Sequence, residues 1–108
     1  MKIKGEIIGG LGRATRLGFP TFNIKLPKGI IESGVYAGRA YFIGNEFNAV
    51  LFADTRREVL EAHLLDLDTD EREPEIEIEI LYKIREAKKF KNDEELIRAI
   101  KKDIKMVI

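Results

Sequence analysis

Apolar and polar residues alternate with a period of two along most of this chain and switch to a helical period only near its end. The clearest run is Glu75-Ile76-Glu77-Ile78-Glu79-Ile80. In an extended strand this alternation sets the isoleucines against a core and the glutamates in water. The pattern drifts on through Tyr82 and Ile84 to Arg85. Residues 2–8 alternate likewise, with Ile3, Gly5 and Ile7 on one face and Lys4 and Glu6 on the other. Further strands are expected over Phe19–Leu26, Gly34–Phe42, Phe47–Ala53 and Val59–Leu65. They are punctuated by Pro27 and Gly29, by a Gly44-Asn45 turn and by Asp54-Thr55-Arg56-Arg57. Asn92 followed by Asp93, Glu94 and Glu95 has the form of a helix start, after which Leu96, Ile100, Ile104 and Val107 recur as an apolar stripe. Lys101, Lys102 and Lys105 suit the negative end of that helix. Six short strands and one terminal helix predict a mainly β fold, a small antiparallel barrel with a C-terminal α-helix packed on it.

Composition narrows the class. The 108 residues predict one domain, and an apolar fraction of 44% is too high for a disordered chain. Nineteen basic and nineteen acidic residues cancel, so a general electrostatic attraction to nucleic acid is not indicated. There is no cysteine, which excludes disulfides and thiolate metal sites. The N-terminus lacks a signal-like apolar region, and no apolar run approaches a membrane span. The expectation is a cytoplasmic monomer without a membrane or nucleic-acid partner.

Candidate chemistry concentrates in Gly9–Asn23. Gly9, Gly10, Gly12 and Gly18 let the backbone approach a ligand, and Arg13 and Arg16 can fork onto phosphate oxygens. The stretch is neither a Walker A loop nor a dinucleotide fingerprint, because no Gly-Lys-Thr/Ser follows and a strand succeeds it. A plain hairpin loop with solvated arginines accounts for it equally well. If Thr21 to Asn23 is strand, the hydroxyl of Thr21 and the amide of Asn23 share a face. They are either solvent-facing residues or neutral oxygen ligands for Mg²⁺, which would then need a nucleotide to complete its shell. Glu61 interrupts the apolar run Val59–Leu65 and shares a face with His63 and Leu65. That face is either the wet side of a half-buried strand or the seat of a general base. Arg85, Lys88, Lys89 and Phe90 form a basic turn or a ligand-facing lip with one ring for stacking.

These blocks together resemble the riboflavin kinase family. The resemblance is carried by Gly12-Arg13-x-x-Arg16-Leu17-Gly18-Phe19-Pro20-Thr21-x-Asn23, by Gly34-Val35-Tyr36-Ala37, and by Leu60-Glu61-Ala62-His63-Leu64-Leu65-Asp66. Ile84-Arg85-Glu86-x-x-Lys89-Phe90, Asp93-Glu94-Glu95-Leu96 and Asp103 complete it, in the family's order and over nearly the whole chain. The resemblance implies a six-stranded Greek-key barrel that passes the γ-phosphate of ATP to the terminal ribityl hydroxyl of riboflavin, giving FMN. It implies Thr21 and Asn23 as magnesium and nucleotide ligands and Glu61 as catalytic base. Gly12, Arg13, Arg16 and Gly18 fall in the loop over the nucleotide phosphates, and Arg85 and Phe90 on the flavin side. Nothing in the residues excludes CTP or GTP as donor, and a non-catalytic flavin- or nucleotide-binding barrel is the alternative. Ala14 and Thr15 stand where the family usually has Gly and a basic residue, and Phe22 stands in place of a small one beside the expected nucleotide. The Val50–Glu61 loop is shorter than the family's, and no adenylyltransferase domain precedes the barrel, so a monofunctional kinase is expected.

Overall fold

Strands form where the residues alternate, and the barrel closes because each strand buries one face. The computed structural model describes residues 1–9 and 12–108, so Gly10 and Leu11 of the glycine loop lie outside the described residues. The elements run β1 (Lys2–Glu6), α1 (Arg13–Arg16), β2 (Phe22–Lys25), β3 (Gly34–Phe42), β4 (Asn45–Asp54), β5 (Val59–Leu64), β6 (Glu75–Arg85) and α2 (Asp93–Lys105). The six strands make one sheet in the order β1-β6-β3-β4-β5-β2, with every neighbouring pair antiparallel. β3, β4 and β5 follow one another as a meander, and β6 returns to lie beside β3, which is a Greek key. Ile8 donates its N–H to the carbonyl of Asn23 at 2.7 Å. That bridge brings the two sheet edges, β1 and β2, together into a nearly closed barrel.

The interior is filled from all sides by Ile24, Leu51, Leu60, Ile76 and Ile78, all fully buried. Each such side chain contributes about 1.5–3 kcal/mol relative to exposure. Gly38 lets β3 lie close to its neighbours, since a Cβ there would collide with the Glu79 carbonyl and with Leu51. The glutamates of β6 face outward. Glu79 accepts from the Tyr41 hydroxyl at 2.9 Å, and Arg39 reaches both Glu46 and Glu79. No described helix is long and apolar enough to cross a membrane.

Several boundaries differ from expectation. β1 ends at Glu6 and β2 begins only at Phe22, because Pro20 lacks an N–H and the Phe19–Thr21 step is held by side chains instead. The glycine loop is not loop throughout: Arg13–Arg16 winds into one turn of helix with Gly12 as its N-cap. The β3–β4 turn centres on Ile43 and Gly44, both at positive φ, rather than on Gly44-Asn45. Leu65, expected on the outer face with Glu61 and His63, is buried, because β5 ends at Leu64 and Asp66 turns the chain at positive φ. In α2, Ile100 is fully buried while Leu96 and Ile104 are half-buried, and Val107, expected on the same stripe, lies past the end of the helix. The second residue to go under is polar: Asp103 is 2% exposed and takes Arg85 in a two-point ion pair at 2.9 and 2.8 Å. Asn92 caps the helix by accepting from the N–H of Glu95 at 2.9 Å, worth about 1 kcal/mol.

Candidate active site

Register decides which side chains meet. In the β2–β5 pair, Asn23 stands opposite Glu61 while Phe22 faces Ala62 and Ile24 faces Leu60. Leu60 and Ala62 are fully buried in the barrel, so Glu61 and Asn23 share its outer face. Thr21, one residue before β2, donates its hydroxyl to Glu61 Oε1 at 3.3 Å. The glycine loop meets the same carboxylate, where a Cβ on Gly12 would stand 2.9 Å from Oε1. Asn23 is 6% exposed, and its Oδ1 is the one buried side-chain nitrogen or oxygen without a partner among the described residues. A buried amide oxygen left unpaired costs about 1–3 kcal/mol, so the fold carries an unsatisfied acceptor at this corner.

The surrounding step is braced from two sides. His63 Nδ1 lies 2.8 Å from the Pro20 carbonyl, which can only accept, so that nitrogen carries the proton. The His63 ring also meets Phe19 edge-on at 5.8 Å. From α1, Thr15 accepts the N–H of Thr21 at 3.2 Å, and its hydroxyl lies 3.4 Å from that of Thr21. Neither His63 nor Thr15 was legible as a brace in the sequence, where one reads as a strand face and the other as a departure from the family pattern. Gly18 turns the chain between them at φ +97°, a conformation only glycine takes without strain.

Arg13 and Arg16 separate. Arg16 is exposed, whereas Arg13 is tied to Asp93 at the start of α2 at 2.9 and 2.8 Å. Arg13 and Asp93 keep 39% and 62% of their side-chain surface, so the pair is worth about 0.2–1 kcal/mol. Such a tie is weak enough for Arg13 to exchange it for a phosphate.

One row of residues runs across the outer face from this corner. Asn23 faces Glu61, Glu61 faces Phe52, Phe52 faces Val35, and Val35 faces Arg85. Three inter-strand steps, about 14 Å measured along the sheet, lead from Glu61 to Arg85. Along that row a cleft of about 460 Å³ opens between Phe52, Val35, Arg85, Phe90, Leu96 and Arg13. Phe90 lies under the Arg85 guanidinium at 5.5 Å. The Arg85 fork is closed on Asp103, so Arg85 stands in the wall of the cleft rather than free within it. A second cleft, of about 670 Å³, begins two residues along β5 at His63 and is bounded by Pro20, Phe22, Leu65, Asp68 and Ile104. Phe22 faces away from Asn23 and packs on Phe42 at 5.0 Å, so it forms part of this cleft's wall and leaves the Thr21–Glu61 corner open.

Comparison with known proteins bears on the family and the fold. The family model described as riboflavin kinase (Flavokinase) matches residues 1–108. A bifunctional riboflavin kinase/FMN adenylyltransferase of Buchnera aphidicola is 32% identical over 115 residues, covering 97% of this chain and 37% of that protein. Among solved structures, the riboflavin kinase of Trypanosoma brucei superposes with a TM-score of 0.70 at 22% identity, covering 98% of this chain and 76% of that one. A chain described as a macrolide-efflux protein of Streptococcus pneumoniae superposes with a TM-score of 0.79 at 20% identity, covering 98% and 36%. At those identities the structural likenesses speak for the barrel alone. The chain belongs to the riboflavin kinase family. It spans at most about half the length of the curated relatives it matches, from 35% to 49% for three of them.

Proposed function

We propose that this chain transfers the γ-phosphate of ATP to the terminal ribityl hydroxyl of riboflavin in a Mg²⁺-dependent reaction, giving FMN and ADP. The observation that carries the reading is the meeting of Gly12 and Thr21 at Glu61, with Asn23, whose buried Oδ1 is unpaired, opposite Glu61 in the strand register. Among the described residues no three His, Cys, Asp or Glu side chains are grouped to hold a metal. Two neutral oxygens, one of them buried and unpaired, are a donor set that suits Mg²⁺, which keeps several waters and phosphate oxygens in its shell. Thr21 Oγ1 and Asn23 Oδ1 would hold it, and when bound it offsets charge on the β- and γ-phosphate oxygens.

The protein's own part is mostly positioning. The backbone at Gly12 and Gly18 covers the phosphates, with Arg16 exposed beside it and Arg13 free to leave Asp93. The cleft at His63 and Pro20 receives the nucleoside. The cleft of Phe52, Val35 and Phe90 takes the flavin ring, with its polyol chain directed along the cross-strand row toward Glu61. Glu61 accepts the hydroxyl proton as the oxygen attacks. The new O–P bond forms at the γ-phosphorus, the bond to the β-phosphate oxygen breaks, and ADP leaves with that electron pair.

Incubation with riboflavin, Mg²⁺ and ATP, CTP or GTP in turn tests the reading. FMN formed with ATP and abolished in Glu61→Gln supports it. Tight flavin or nucleotide binding with no FMN from any donor overturns it in favour of a binding module.

A further inference from the structure

The short helix α1 buries none of its residues, so side-chain ties must help fix its place over Glu61. One is the weak Arg13–Asp93 pair. The other is Thr15, whose hydroxyl contacts both the backbone and the side chain of Thr21. The direction of the protons in this group follows from counting donors. The N–H of Thr21 can only donate, so it occupies one lone pair of Thr15 Oγ1. The Thr21 hydroxyl donates to Glu61 Oε1, which commits its one proton. The 3.4 Å contact between the two hydroxyls is then served by the Thr15 proton, donated to Thr21 Oγ1. Thr21 Oγ1 has two lone pairs; one is taken by Thr15 and one is left over.

We propose that Thr15 is a positioning residue that orients the Thr21 hydroxyl, sending its proton to Glu61 and leaving one oxygen lone pair for the metal of the bound nucleotide. Without the Thr15 hydroxyl, Thr21 Oγ1 is free to rotate and to compete for Glu61 or water in other directions. The ordered arrangement also leaves Glu61 Oε2 for the substrate hydroxyl. Thr15 stands where the resemblance expects a basic residue, so this chain orders its metal corner with a neutral group. The inference rests on the reading of Thr21 and Asn23 as metal ligands.

The test is calorimetric binding of a non-hydrolysable ATP analogue, with and without Mg²⁺, to wild type, Thr15→Val, Thr15→Ser and Asn23→Ala. The Mg²⁺-loaded analogue should bind Thr15→Val about threefold more weakly, the worth of one long hydrogen bond between neutral hydroxyls. The metal-free analogue should bind as it does to wild type, and Thr15→Ser should restore the difference. Thr15→Ala supplies a second hydroxyl-free chain should valine disturb the packing, with thermal unfolding run on each. Wild-type affinity in the hydroxyl-free variants overturns the proposal. So does an equal loss for loaded and metal-free analogue, which would make Thr15 a simple anchor of α1. If Asn23→Ala also leaves Mg²⁺-dependent binding untouched, the metal corner itself is refuted. If Asn23→Ala weakens it and Thr15→Val does not, only the role of Thr15 falls.

Discussion

Replacing Gly12 by alanine separates catalysis from stability. Gly12 caps α1 with φ −72° and ψ 167°, a conformation that alanine adopts without strain. The unfolded chain loses freedom in the exchange, worth about 0.4–1 kcal/mol, and alanine's poorer fit at an N-cap offsets a similar amount, so stability should change little. The site should suffer instead. The new Cβ would lie 2.9 Å from Glu61 Oε1, where ordinary contact begins near 3.4 Å, so the carboxylate must withdraw by about 0.5 Å. That movement lengthens an already long 3.3 Å bond from Thr21 and carries the proton acceptor away from its station. Misplacement of a reacting group by about 1 Å costs on the order of 10²-fold, so about tenfold or more in kcat is expected here. Initial rates of FMN formation, measured beside thermal unfolding, should show kcat falling while Tm holds. A Gly12→Ala protein with wild-type kcat, or one that loses activity only in step with lost stability, refutes the argument.

Other substitutions probe the rest of the row. Asn23→Ala should weaken Mg²⁺-nucleotide binding far more than riboflavin binding, and equal losses in a titration of both ligands would contradict the metal corner. Asp103→Ala strands Arg85, whose side chain is 25% exposed, and should cost about 2–4 kcal/mol, read as a lowered Tm. The apolar pair Asp103→Leu with Arg85→Met should recover most of that stability, and equal instability in the double variant would count against the ion pair as the cause. Phe90→Ala should raise the dissociation constant for riboflavin about fivefold without moving that for nucleotide, measured by flavin fluorescence. Tyr41's phenol is pushed above its ordinary value near 10, first by its hydrogen bond to Glu79 and then by burial. The native state therefore holds this proton more tightly than the unfolded chain, and the associated stability is present below pH 10 and lost as pH rises past the shifted value. Ultraviolet titration should lose a tyrosine that ionises above pH 10 in Tyr41→Phe.

The strands were legible because a period of two leaves little choice. Gly34–Phe42 and the run to Arg85 stand as read, and Ile76, Ile78 and Ile80 are in the core. The one-turn helix α1 was not, since a helix of four residues is too short to show periodicity. Glu61 could be placed on a face by alternation, but its meeting with Asn23 depends on a strand register that no local pattern states. The long-range pairs are harder still. Arg13 and Asp93 are 80 residues apart, and Arg85 and Asp103 belong to different elements. Each reads in isolation as a solvated charge. Asp103 was legible as part of the resemblance but its burial was not: the helical stripe led toward apolar positions, and the residue that α2 buries beside Ile100 is an acid already matched by Arg85.

The most direct measurement follows the phosphorus. With γ-labelled ATP, Mg²⁺ and riboflavin, the account predicts label appearing in FMN at one equivalent per ADP formed. It predicts no labelled flavin from an analogue lacking the ribityl hydroxyl, and none from Glu61→Gln with riboflavin itself. ADP produced without labelled FMN, or labelled FMN undiminished in Glu61→Gln, would contradict it.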